Sequence, residues 1–134
     1  MNWKSHAVSH PGNKRKYNQD AYFCHDNNGL WAVADGMGGH EAGEVASQTI
    51  VQSLANLAQS GRENNSVPNI TSILEDVNQQ LFSQNSANER IAGSTVALVQ
   101  TINNHCTCLW AGDSRIYLYR EGELQQISSD HSYV

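Results

Sequence analysis

Two carboxylates, one guanidinium and a run of glycines are the groups in this 134-residue chain best suited to chemistry. Asp35 follows the apolar stretch Leu30-Trp31-Ala32-Val33-Ala34 and precedes Gly36-Met37-Gly38-Gly39-His40. A carboxylate at the end of a buried strand is costly unless its charge is compensated, and a divalent cation would compensate it. Glycines beside it let backbone carbonyls approach such an ion, because no side chain intervenes. Taken alone, the same segment also reads as a plain strand-to-helix turn. The hexapeptide Arg15-Lys16-Tyr17-Asn18-Gln19-Asp20 adds a guanidinium able to hold a phosphate through two parallel hydrogen bonds. Its Asp20 opens a strand beside the one that ends at Asp35, so that two adjacent strands would bring both carboxylates to one cation site. By itself the hexapeptide reads most simply as a solvated turn. Ala111-Gly112-Asp113-Ser114-Arg115, between two strong strands, reads by itself as a β-turn of favoured residues.

Two phosphate-binding alternatives fail on spacing. Gly36-x-Gly38 follows a strand and precedes a helix, as a dinucleotide-binding loop would. The third glycine would fall at Glu41, however, and no strand ending in an acid appears about 20 residues on. A P-loop is excluded because no Gly-Lys-Ser/Thr is present.

The elements that must position these residues are legible in the hydrophobic pattern. Ala21 to His25 and Leu30 to Ala34 read as short strands joined at Asp26-Asn27-Asn28-Gly29, the second being apolar throughout like an interior strand. A helix is expected from about Glu41 to Ala58, with Ala42, Val45, Ala46, Ile50, Leu54 and Leu57 on one face. Its Glu41 and Glu44 fall in the first turn, where the helix dipole favours negative charge. The polar stretch from Gly61 to Asn69 breaks the pattern, and a second amphipathic helix follows from Ile70 to Phe82. Thr95 to Thr101, Cys106 to Ala111, Ile116 to Arg120 and Leu124 to Ile127 read as a β-meander. Asn103-Asn104 and Glu121-Gly122 suit tight hairpins with positive φ. The order of strands, two helices and strands predicts an α+β fold, with helices against an antiparallel sheet.

Composition narrows the function class. The formal net charge of −5 argues against a nucleic-acid binder, and the basic cluster Lys14-Arg15-Lys16 suits a single phosphate rather than a backbone track. No stretch approaches the roughly 18 apolar residues needed to cross a bilayer, and the N-terminus lacks a signal-peptide layout. A soluble, cytoplasmic protein is expected. Cys24, Cys106 and Cys108 contain no CxxC pair and are expected to be buried free thiols, with Cys106 and Cys108 facing one side of a strand, rather than a disulfide framework or zinc site.

Taken together the motifs resemble one family. Gly12-x-x-Arg15-x-x-Asn18-Gln19-Asp20-Ala21, Val33-Ala34-Asp35-Gly36-Met37-Gly38-Gly39-His40, Gly93-Ser94-Thr95, Gly112-Asp113-Ser114-Arg115 and Ser129-Asp130-His131-Ser132 occur in the order and spacing of the bacterial branch of the type 2C (PPM) metal-dependent serine/threonine protein phosphatases. The resemblance covers essentially the whole chain. It implies a four-layer α/β/β/α sandwich in which two Mn²⁺ or Mg²⁺ ions share a bridging water that attacks the phosphorus of phosphoserine or phosphothreonine. Carried over by position, it makes Asp35 the bridging ligand, Gly36 a carbonyl ligand, Asp20 a further ligand to the same ion and Arg15 the phosphate clamp. Asp113 matches a position for a third, weaker metal. Many members have Glu where Gln19 stands. Eukaryotic members place a proton-donating histidine where Met37 stands, and His40 or a metal-bound water is the substitute in this chain.

The resemblance also implies two later metal-binding aspartates that do not occur among these residues. The chain is therefore expected to be the N-terminal portion, residues 1–134, of a single catalytic domain, with uncovered sheet edges prone to self-association. Phosphorylated proteins are the expected substrates and a cognate Ser/Thr kinase an expected partner. The alternative is a non-catalytic module of the same descent that binds phosphoproteins or a partner protein.

Overall fold

The computed structural model describes residues 2–13, 18–39, 41–88 and 91–131. Strands β1 (Asp20–His25) and β2 (Leu30–Gly38) are followed by helices α1 (Ala42–Gln59) and α2 (Val67–Asn88). Strands β3 (Ala92–Ser94), β4 (Val96–Ile102), β5 (His105–Ala111), β6 (Tyr117–Arg120) and β7 (Glu123–Gln126) complete the order. One antiparallel sheet runs β1-β2-β4-β5, with β3 also paired to β2; β6 and β7 form a separate hairpin. β3 and β4 keep a single register against β2, opposing Gly36 to Ser94 and Val33 to Ala97, and are interrupted only at Thr95. The α+β class stands as expected.

Both helices lie on one face of the sheet. Along β2 burial alternates: Leu30, Ala32, Ala34 and Gly36 point to the helices, while Val33, Asp35 and Met37 are exposed on the other face. Ile50, Val51, Leu54 and Ala58 of α1 meet Ala21, Leu30, Ala32, Ala34, Val96 and Leu98, with Ile70 and Val77 of α2 closing the cluster. Leu30, Leu54, Ile70 and Leu98 are buried almost completely, each stabilising the fold by about 2 kcal/mol.

Several boundaries differ from the sequence expectation. β2 does not stop at Ala34 but continues through the glycines to Gly38, because β3 supplies a pairing edge that three residues of Ala-Gly-Ser do not announce. It is also not covered on both faces: Val33 and Tyr22 are each 48% exposed. α2 starts at Val67 rather than Ile70 and runs past Phe82 to Asn88. Its start is built by Ser66, whose hydroxyl accepts from the Asn69 N–H at 3.3 Å, and by Pro68, harmless in a first turn where the N–H has no helical partner. The thiols are not all buried. Cys24 and Cys106 are exposed and Cys108 is half-buried, since the face carrying Cys24 and Cys108 has no helix over it and β5 is an edge strand. Burial, and secondarily the neighbouring Cys106, pushes the Cys108 thiol up.

Both hairpins form as expected. Asn103 and Asn104 have φ of 51° and 67°, and Glu121 and Gly122 have 54° and 81°, the paired positive values of type I′ turns. No described helix is long and apolar enough to cross a membrane.

Candidate metal centre

Asp20 and Asp35 face each other across the β1–β2 ladder. One step further along, the Gly36 N–H donates to the Gln19 carbonyl at 2.9 Å. That bond makes Gln19–Gly36 the hydrogen-bonded pair, so Asp20–Asp35 is the non-hydrogen-bonded one, in which Cα atoms approach to about 4.5 Å and side chains lie closest. Strand alternation puts both carboxylates on the face away from the helices, and both are exposed. Asp35 thus stands within the strand and open to solvent, not at the end of a buried one. Two like charges directly opposite are unfavourable; a divalent cation between them reverses the sign.

The pair borders a cavity of about 210 Å³ that is also lined by Val8, Ser9, Tyr22 and Ser114. Carboxylates and hydroxyls are hard oxygen donors of the kind Mg²⁺ and Mn²⁺ take, so the residues present fit such an ion. Among the described residues no third His, Cys, Asp or Glu joins the two aspartates. A larger groove of about 550 Å³ lies on the helix side, between α2 and β5, lined by apolar groups such as Leu74, Leu81 and Leu109.

The backbone of Asp35 is held from the next strand. Its N–H donates to Thr95 Oγ1 at 3.0 Å, and its carbonyl accepts from the Thr95 N–H at 2.9 Å. Thr95 Oγ1 lies 2.6 Å from Ser114 Oγ, linking the Asp35 strand to the Gly112–Arg115 turn. That turn is in turn tied to residues 129–131. The His131 N–H donates to the Gly112 carbonyl at 2.9 Å, and Trp110 Nε1 donates to the Ser129 carbonyl at 2.8 Å. Arg115 grips Asp130 with Nε to Oδ1 at 3.1 Å and Nη2 to Oδ2 at 2.8 Å. The guanidinium holds the Asp130 carboxyl below its ordinary value, and the carboxylate raises Arg115 in return.

On the helix side the glycines have a packing reason. A Cβ on Gly36 would stand 1.9 Å from the Gly43 carbonyl oxygen of α1, and one on Gly43 would stand 2.7 Å from Gln19 Nε2. The helix backbone therefore rests directly on the strand beside Asp35. Gln19 Nε2 donates to the Gly38 carbonyl at 3.0 Å, and the Ser47 hydroxyl donates to the Gln19 carbonyl at 2.7 Å.

Of the site residues expected from sequence, Asp20, Asp35 and Gly36 come together. Asp113 is exposed in the turn after β5 and is not among the residues lining the cavity, although its neighbour Ser114 is. Arg15 and His40 lie outside the described residues. Met37 is 60% exposed on the same face as Asp35. The bracing roles of Thr95, Ser114 and Ser47 were not anticipated. Ser47 carried a signal: a fully buried hydroxyl at the helical spacing of Gly43, Ile50 and Leu54, on the apolar face of α1.

The chain is similar to several known proteins. Residues 9–133 match the sequence model of the family described as protein phosphatase 2C. The serine/threonine protein phosphatase PstP of Mycobacterium tuberculosis is 34% identical over 130 residues, covering 96% of this chain and 25% of that protein. Protein phosphatase PhpP of Streptococcus pneumoniae is 36% identical, over 92% of this chain and 53% of that protein. The chain thus spans a quarter to about half of the length of these relatives. Among solved structures, PppA of Pseudomonas aeruginosa superposes with a TM-score of 0.84 at 39% identity, covering 94% of this chain and 55% of that one. The catalytic domain of PstP, solved with two manganese ions, superposes at 0.82 with 34% identity, over 92% and 54%. With both the motifs and the fold that carries them in agreement, this chain belongs to the protein phosphatase 2C family.

Proposed function

We propose that this chain carries the first half of a metal-dependent phosphoserine/phosphothreonine phosphatase site, in which Asp20 and Asp35 hold a Mn²⁺ or Mg²⁺ ion. The observation that carries the reading is the opposition of the two carboxylates at the closest register of the β1–β2 ladder. When bound, such an ion lowers the pKa of water and neutralises charge gathering on phosphoryl oxygens. Asp35 is the ligand best placed to be shared between ions, because Thr95 fixes its backbone on both sides. The Gly36 carbonyl adds a neutral oxygen, Arg15 clamps the substrate phosphate, and Asp113 takes a further ion. His40 is the protein's proton-donor candidate. Phosphorylated proteins are the substrates, as the names of PstP and PhpP suggest for those relatives, and a Ser/Thr kinase acting on the same proteins is the expected counterpart.

The test is Mn²⁺-dependent hydrolysis of a phosphothreonine peptide by this chain and by Asp35→Asn, with Mn²⁺ binding measured on both. Turnover lost in Asp35→Asn supports an active centre. Mn²⁺ binding without turnover favours the second reading, a phosphoprotein-binding module, which is favoured by the presence of only two candidate carboxylates among the described residues. Absence of Mn²⁺ binding in the parent chain would sink the metal reading. Self-association is proposed through the open sheet face, where Tyr22 and Val33 are exposed; a monodisperse monomer by light scattering would contradict it.

A further inference from the structure

We infer that Gln19 is a positioning residue for the cation site, acting from behind the sheet, and that its side chain is not a ligand. The inference rests on the reading of Asp20 and Asp35 as metal ligands. Gln19 immediately precedes Asp20, and strand alternation turns it to the opposite face of the sheet, toward α1. There its two polar ends are both engaged with the Asp35-Gly36-Met37-Gly38 strand. The main-chain carbonyl accepts from the Gly36 N–H at 2.9 Å and from the Ser47 hydroxyl at 2.7 Å. The side-chain Nε2 donates to the Gly38 carbonyl at 3.0 Å. Helix α1 presses on the amide, since a Cβ on Gly43 would come within 2.7 Å of Nε2 and 2.8 Å of Cδ.

One residue therefore joins three elements. It fixes where Gly36 lies relative to Asp35, and it ties the far end of the glycine run to β1. The chemistry at this position calls for a donor. A glutamate would set a carboxylate oxygen against the Gly38 carbonyl, two acceptors with no proton between them, in a half-buried place.

Charge alone would give the opposite expectation. A glutamate beside Asp20 adds negative charge near a cation and, if its side chain reached the ion, would tighten binding. Held on the helix side, it instead disrupts the clamp and weakens binding.

The experiment is a Mn²⁺ titration of the full chain, of Gln19→Glu and of Gln19→Ala. It is read by the electron paramagnetic resonance of the free ion, well below the unfolding temperature. Amide hydrogen exchange across residues 36–38 is measured without metal on the same proteins and on Ser47→Ala. The expected result is Mn²⁺ affinity lowered about fivefold in Gln19→Glu, with faster exchange at Gly36 to Gly38 in all three variants. Tighter Mn²⁺ binding by Gln19→Glu would overturn the inference by making the side chain a ligand. So would a lowered melting temperature with unchanged affinity and exchange, which is what a merely structural residue would give. If the parent chain binds no Mn²⁺, the metal reading of Asp20 and Asp35 fails; the exchange data then decide the clamp separately, and unchanged exchange in Gln19→Glu overturns it.

Discussion

Asp20 and Asp35 occupy a non-hydrogen-bonded pair of the β1–β2 ladder, on the sheet face that the helices leave open. No shorter separation is available to two residues on neighbouring antiparallel strands. This placement sets two negative charges opposite each other, and a cation between them relieves that repulsion.

Neutralising Asp20 should separate stability from binding. Asp20→Asn is expected to stabilise the metal-free chain by about 0.5 kcal/mol through relief of repulsion, while Mn²⁺ affinity falls roughly tenfold or more, as it should in Asp35→Asn. Urea unfolding with and without Mn²⁺ measures both. Destabilisation of Asp20→Asn in the absence of metal would count against the proposed opposition.

Gly36→Ala should be among the most damaging single-methyl additions in the chain. The new Cβ would sit 1.9 Å from the Gly43 carbonyl oxygen, and neither β2 nor α1 can yield without losing its own backbone pairing. A loss of about 2–3 kcal/mol is expected by chemical denaturation. Gly93→Ala, where no atom lies within 4 Å of the added carbon, is the control and should cost much less.

Thr95→Val keeps shape and removes the hydroxyl that accepts from the Asp35 N–H and meets Ser114. A loss of about 1 kcal/mol follows, together with weaker Mn²⁺ binding. Thr95→Ser, which retains the oxygen, should recover most of both. Equal behaviour of the Val and Ser variants would show that the hydroxyl does not brace Asp35.

The Arg115–Asp130 pair predicts a specific pH dependence. Asp130 is held below its ordinary value of 3.8, chiefly by hydrogen bonds from Arg115. A carboxyl whose folded value is depressed stabilises the fold fully above its unfolded value, and loses that contribution as pH falls through the folded one. Asp130→Asn should therefore melt below the parent at pH 6, with the gap narrowing progressively under pH 4. The gap should be small, because both groups are exposed and water screens the pair. A gap independent of pH would exclude the ion pair as its source.

Much of this molecule is legible in its sequence. Apolar residues at helical spacing located α1, short apolar or β-forming runs bounded by turn residues located the main strands, and Asn103-Asn104 and Glu121-Gly122 located both hairpins, because these signals are local. The motif order was enough for the family resemblance, and Asp20 and Asp35 were matched to one site because strands joined by a short turn pair as neighbours. Other features depended on contacts between distant segments. β3 is three residues of Ala-Gly-Ser, and only its pairing to Gly36, Met37 and Gly38 makes it a strand. The exposure of Asp35, Cys24 and Val33 depended on which sheet face the helices cover, which no window of sequence contains. Gly36 reads in the sequence as room for a carbonyl to reach an ion; only the tertiary structure shows that its missing side chain also seats Gly43 of α1. Gln19 looked like a neutral substitute for an acidic ligand until strand alternation turned it away from Asp20 and toward Gly38. Periodicity and motif determined the elements and the ligand types, while close packing across segments decided which face each residue serves.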